Sequence, residues 1–341
     1  MILTKNRVQN IFLVILSIFL TCLVLELFIR FVLGDKPRNE LNFDLKDQPI
    51  SFVEDKVLGW KPKPGEYIFK PWGKNGRTTK LTNLDNGERL TGYRYKSEEN
   101  KIVFVGGSLT QGWAVDDNST FSWLLQKKFK NYKIKNYGVG GYGGVQSFLK
   151  LQNVFENEKN IKLVIYGFIP HHEVRNIASG SWMYLLNKGS RGTEGKLSLP
   201  YASIKNQKLV IHKPKKYLKL TLGNRSALIA KIEKKILKLN SFKRSFQETK
   251  ISKEIILNMK EITEKNDSKF ILLVLNKMPE EKFIKYKKFF KEESIEHINC
   301  YFPEGENYRV EGEGHPNRIG HKFVSDCIYA QLPLKDNVLL K

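Results

Sequence analysis

The longest apolar block comes first. Residues 11–33 are apolar except for Ser17, Thr21, Glu26 and Arg30. At about 1.5 Å per residue, a helix of this length crosses a bilayer core of about 30 Å. Lys5 and Arg7 stand before it, which predicts a cytoplasmic N-terminus and an exported body. No small-x-small cleavage site follows, so an uncleaved anchor is expected rather than a signal peptide. Glu26 and Arg30, four residues apart, are expected to pair on one helix face near the outer boundary.

Beyond residue 101, short β-branched runs alternate with helical spacings. The pattern predicts strands at 102–105, 132–137, 163–166, 270–275 and 295–301. It predicts helices at 120–129, with Ser119 as cap, and at 143–155, 255–262, 280–290 and 318–332. Repeated β-α-β units imply a parallel sheet with helices on both faces, an α/β fold whose sites form at the carboxyl ends of strands. Residues 35–100 read as a turn-rich juxtamembrane segment with short strands such as 66–69. Residues 178–250 interrupt the alternation as a lysine-rich insert. There, Leu228, Ile229, Ile232, Ile236 and Leu239 form an apolar stripe, with Lys231, Lys234, Lys235 and Lys238 largely off it. The preferred reading is a helix packed on the domain by that stripe. The alternative is a helix lying on an anionic membrane surface. The chain thus divides into an anchor (1–34), the juxtamembrane segment (35–100) and a main domain (101–334) that carries the insert.

The 341 residues carry 58 Lys and Arg against 35 Asp and Glu, a formal net charge of +23. Nucleic acid, a membrane surface or an anionic envelope polymer would each suit that balance. The apolar block turns the expectation to membrane and envelope, and no nucleic-acid partner is expected. Three cysteines are too few for a disulfide scaffold. Cys300 and Cys327 are read as two separate buried thiols, with a bridge as the alternative.

Ser108 ends the run Lys101-Ile-Val-Phe-Val-Gly-Gly-Ser108, and His315 sits in the turn Glu313-Gly-His315-Pro-Asn317. A serine hydroxyl is a weak nucleophile and needs an adjacent base, which an imidazole near neutrality supplies. A carboxylate must orient that imidazole; Glu313 is the first candidate and Glu311 the fallback. Backbone N–H groups in glycine-rich turns suit a developing oxyanion. The turn Asn136-Tyr-Gly-Val-Gly-Gly141-Tyr-Gly-Gly144 offers them, so the N–H groups of Ser108 and Gly141 are the first two donors. The Lys-Ser/Thr ending of a nucleotide-binding loop is missing. Trp113 and Tyr142 are candidates for stacking on a sugar or lining an acyl pocket, with core packing as the open alternative. Metal binding by His171, His172 and Glu173 is disfavoured, because adjacent residues on an extended segment point to opposite sides. No metal or cofactor is expected.

Three blocks, Gly107-Ser108-Leu-Thr-x-Gly112, Asn136-x-Gly-x-x-Gly141-Tyr-Gly and Glu313-Gly-His315-Pro-Asn317-x-x-Gly-His321, resemble those of the SGNH, or GDSL-type, hydrolases. The resemblance covers roughly residues 101–175 and 250–332. It implies a flavodoxin-like three-layer α/β/α sandwich, a Ser-His-acid triad, and a third oxyanion donor from an asparagine side chain. Gly107 stands where the name motif has aspartate, and Glu313 where the family usually has aspartate. His171 falls at or next to the asparagine position; a neutral imidazole N–H can donate there. The expectation is a membrane-anchored serine esterase with an extracytoplasmic catalytic domain, acting on O-acyl esters of an envelope glycan or lipid. The alternatives are an O-acyltransferase on a cell-envelope polysaccharide, served by the same residues, and a non-catalytic glycan-binding scaffold.

Overall fold

The computed structural model describes residues 5–38, 48–73, 76–92, 100–188, 193–194 and 197–332. The apolar block forms helix α1 (Lys5–Leu27), which a π-turn over Phe28–Val32 extends. The stretch Asn6–Val32 is long and apolar enough to cross a membrane. Two antiparallel hairpins follow: β1 (Phe52–Asp55) with β2 (Gly59–Pro62), and β3 (Gly65–Phe69) with β4 (Thr79–Asn83). Phe52, Trp60, Phe69 and Trp72 from this stretch are buried. Phe52, Phe69 and Trp72 pack on Trp113, and Trp60 packs on Tyr142, so the hairpins share a core with the main domain.

The main domain runs β5 (Asn100–Gly106), α2 (Ser108–Gln111), α3 (Phe121–Lys128), β6 (Tyr132–Asn136), α4 (Gly144–Asn157) and β7 (Ile161–Phe168). Then come α5 (His172–Asn176), α6 (Gly180–Lys188), β8 (Thr193–Glu194), the hairpin β9 (Ser198–Lys205) and β10 (Lys208–Lys216), and α7 (Ala227–Ser245). The chain closes with α8 (Glu248–Lys265), β11 (Lys269–Val274), α9 (Glu280–Glu292), β12 (His297–Asn299) and α10 (Arg318–Gln331).

Five strands pair in parallel in the order β12-β11-β7-β5-β6. Alternate residues face opposite layers, as the pleat requires. Val103, Val105, Val164 and Leu272 meet α4, α8 and α9, whereas Ile102, Phe104, Ile165 and Leu273 meet α3 and α10. This is the three-layer sandwich, and its strand order is flavodoxin-like. The order reverses between β5 and β7, so the crevice at their carboxyl ends is where such sheets place a site.

Three local expectations change. The cap of α3 is Thr120, not Ser119: the Thr120 hydroxyl oxygen accepts the Trp123 N–H, and Ser119 is already inside a 3₁₀ turn over Asp117–Ser119. The predicted stripe of the insert helix is only partly packed: Leu228, Ile229 and Ile236 are half-buried, and the fully buried face is a different one. Ala227, Ala230, Glu233, Leu237 and Ser241 of α7 are buried, while Ile232 and Leu239 are exposed. The small residues let α7 approach closely, and the main chain of Leu237 lies where a Cβ on Gly180 of α6 would be. The two thiols are bridged: Cys300, just past β12, faces Cys327 on α10 at a Cα–Cα distance of 5.7 Å. Only the packing of α10 beside β12 brings them together.

The bridge closes the segment that carries His315. Replacing Cys327 by serine is expected to cost about 2–4 kcal/mol of unfolding free energy, measured by urea denaturation of the oxidised protein. Equal stability of the two forms would mean that the bridge does not form.

Candidate active site

β5 ends in Gly106-Gly107, and Ser108 opens the single turn of α2 at the switch point of the sheet. Ser108 is nearly buried. Arg89, from the hairpin region, braces this turn. Its guanidinium donates to the carbonyls of Gln111, Gly112 and Val115, and its Nε pairs with Asp117 at 3.1 Å. The carbonyls at the end of a one-turn helix have no partner within it, and Arg89 satisfies them.

His315 arrives in a tight turn. Val310 donates its N–H to the His315 carbonyl and accepts from Gly314, while Gly312 and Gly314 hold the positive φ values the turn requires. Asn317 then caps α10 by accepting the N–H groups of Ile319 and Gly320. The result brings the two distant blocks together: His315 Nε2 lies 2.8 Å from Ser108 Oγ. On the other side of the ring, Nδ1 lies 2.8 Å from Glu313 Oε1, and Glu313 Oε2 accepts the His315 main-chain N–H at 2.8 Å. An ionised carboxylate only accepts, so Nδ1 carries the proton and Nε2 is left to accept from the serine hydroxyl. Burial alone would raise the Glu313 carboxyl. Its bonds to the His315 ring and main chain and to the Trp113 indole outweigh that and hold it below the usual carboxylate range. Glu311, the fallback acid, is exposed at the surface.

The remaining candidates separate. Gly141 has φ +82°, and a Cβ there would stand 3.0 Å from the Trp60 ring, so only glycine fits this turn. Trp113 packs among Phe52, Phe69 and Trp72 and is near enough to Glu313 to help lower its carboxyl. Tyr142 is fully buried and donates its hydroxyl to the Trp60 carbonyl at 2.5 Å. It has no surface left for a substrate, and the core-packing alternative describes it. His171 immediately precedes α5, without a side-chain cap bond, and its ring meets that of Trp182 edge to face at a centroid distance of 5.4 Å. Desolvation and then the Arg175 cation push its pKa down to about 4, which keeps the ring neutral at pH 7. His172 turns inward to the Tyr166 hydroxyl at 2.7 Å, and Glu173 binds the Tyr286 hydroxyl and Lys282. These three side chains therefore diverge.

Arg175 carries no sequence signal and was not foreseen. It is buried, donates to the Tyr142 carbonyl at 2.8 Å and lies over the Trp182 ring at 4.3 Å. Among the described residues no carboxylate pairs with it. Burial lowers its pKa to about 10, so it stays charged. A Cβ on Gly107 would stand 3.0 Å from His172 Nε2 and 3.2 Å from an Arg175 terminal nitrogen. Position 107 is therefore crowded where the name motif has aspartate.

No family model matches the chain, and no curated protein matches it. Among solved structures it is similar to a lipolytic protein of the G-D-S-L family from Veillonella parvula, with 11% identity and a TM-score of 0.39 over 68% of this chain and 97% of that one. It is similar also to TesA, with 14% identity and a TM-score of 0.39 over 69% and 98%. A third is the acetyl xylan esterase Est2A from the rumen bacterium Butyrivibrio proteoclasticus, with 10% identity and a TM-score of 0.37 over 76% and 71%. At such identities and scores the likeness is one of chain path, and the chemistry has to come from the site itself.

Behind the site, His321 is fully buried, stacks on Phe121 and accepts the Phe121 N–H at its Nδ1. Burial, with the Arg89 and His315 charges, pushes its pKa down to about 3. A folded value below the unfolded one, about 6.5, gives stability that is complete above pH 6.5 and lost as pH falls toward the folded value. The slope is at most about 1.4 kcal/mol per pH unit for one histidine. His321→Gln, which keeps an acceptor for Phe121, should flatten the fall in urea-unfolding free energy between pH 6.5 and 4 by up to one proton. Identical slopes would show that His321 is not held neutral.

Proposed function

We propose that this protein is a membrane-anchored serine esterase of the SGNH type. The observation that carries it is the unbroken chain Glu313–His315–Ser108, with contacts of 2.8 Å on either side of the imidazole. Ser108 Oγ attacks the ester carbonyl while His315 Nε2 takes its proton. Glu313 stabilises the imidazolium that forms. His315 then gives the proton to the leaving alkoxide, which departs as the alcohol. A water, deprotonated by the same ring, attacks the acyl-serine; the carbonyl–Oγ bond breaks, the ring returns the proton to Ser108 Oγ, and the carboxylic acid is released.

The oxyanion is held by the N–H groups of Ser108 and Gly141, with the neutral ring of His171 as third donor. His171 and Gly141 flank the same residue, Trp182, which supports grouping them on one side of the site. Residues 1–34 form the anchor, 35–100 lead from it, and 101–334, with the insert 178–250, form the catalytic domain. That domain lies on the extracytoplasmic side, as the Lys5 and Arg7 flank and the Cys300–Cys327 bridge support. The substrate is an O-acyl ester of an envelope glycan or lipid, a class suited to the net charge of +23.

A fluorophosphonate probe tests the nucleophile without the natural substrate. The wild type should label and Ser108→Ala should not. Labelling that persists in Ser108→Ala removes that serine from the chemistry. Glu313→Gln, which keeps the size but loses the charge, should slow hydrolysis of a short acyl ester by roughly 10²–10⁴-fold, measured as kcat/KM.

A further inference from the structure

Helix α7 has two opposite faces of different character. One is packed on the domain through Ala227, Ala230, Glu233, Leu237 and Ser241. On the other, Ile232, Leu239, Phe242 and Phe246 are 40%, 64%, 50% and 75% exposed. Their spacings of seven, three and four residues hold them in one stripe. Lys231, Lys235, Lys238 and Lys243, all exposed, stand in and beside that stripe. A buried helix has no use for the stripe, and a helix meant for water would not carry it.

The start of α7 is fastened to α1. The Glu26 carboxylate accepts the N–H groups of Ala227 and Leu228, each at 2.8 Å, and the Ser226 hydroxyl at 2.7 Å. Arg30 pairs with Glu26 and donates to the Arg225 carbonyl at 2.5 Å. Just beyond α1, Arg38 forms a buried ion pair with Glu233 on the packed face of α7. Glu26 precedes Val32, the end of the apolar stretch, by six residues, or about 9 Å of helix. The first turn of α7 is therefore level with the last turns of the apolar block, where a spanning helix would meet the headgroups. From there α7, about 28 Å long, runs either along the bilayer or away from it. Away from it, three large apolar side chains from Leu239 to Phe246 would stand in water. Along it, they enter the boundary and the lysines reach anionic headgroups.

We propose that α7 lies on the surface of the membrane that α1 crosses, with its Ile232–Leu239–Phe242–Phe246 stripe in the boundary between headgroups and acyl chains. This rests on α1 spanning the membrane, as proposed above. The catalytic domain then has a fixed tilt. α6, packed on the other side of α7, sits one helix layer above the lipid, and its Trp182 borders Gly141.

The test uses the full-length chain, with Cys22→Ser, in vesicles of phosphatidylcholine and phosphatidylglycerol. Single spin labels go on Leu239→Cys and Phe242→Cys, with Ile15→Cys reporting α1 and Glu264→Cys on α8 as the water reference. Each variant is first checked for the parental unfolding temperature. The Leu239 and Phe242 labels should show a ratio of oxygen to water-soluble nickel collisions several-fold above that at Glu264, and the ratio should fall when phosphatidylglycerol is left out. Water-like ratios at both α7 sites, with a lipid-like ratio at Ile15, overturn the placement of α7 and leave the anchor standing. A water-like ratio at Ile15 overturns the anchor, and the α7 placement with it.

Discussion

The proton between His315 Nδ1 and the Glu313 carboxylate is the contact on which the site turns. It fixes the tautomer, and with it the nitrogen that faces Ser108. Burying a carboxylate is costly unless donors surround it. Here the imidazole, the His315 main chain and the Trp113 indole supply them. Because Glu313 and His315 are two residues apart in a glycine-bounded turn, this half of the site is local. The other half, Ser108, is 207 residues away along the chain.

Joining those halves is the work of the sheet. β5 and the loops after β7 and β12 all end on one edge, and the hydrophobic layers on both faces keep the strands in register. Two buried arginines finish the placement in different ways. Arg89 is paired with Asp117 and gives its remaining donors to main-chain carbonyls, those of Gln111 and Gly112 at the end of α2 and that of Val115. Arg175 has no acid beside it among the described residues and is held by a carbonyl and an indole face instead. A buried cation without an anion leaves a positive field, here close to Gly107.

Helix α1 and the insert are joined by polar contacts. Glu26 satisfies N–H groups at the start of α7 that no turn of that helix can satisfy. Helix α1 is thus fastened to the folded body through the start of α7.

Much was legible in the chain itself. Apolar runs located β5, β7 and β11, and the Gly-Ser and Gly-His turns singled out Ser108 and His315, because strand periodicity and turn chemistry are local properties. The pairing of Glu313 with His315 was legible for the same reason. What was not legible depends on which surfaces meet. The Cys300–Cys327 bridge needs α10 beside β12. The burial of Tyr142 needs Trp60 from the first hairpin. The roles of Arg89 and Arg175 need carbonyls and rings from distant segments. An apolar stripe on α7 could be read, but not which of its members pack: Leu228, Ile229 and Ile236 are half-buried while Ile232 and Leu239 are exposed, because helical spacing says that a face is apolar and only packing says which part of it turns to the core.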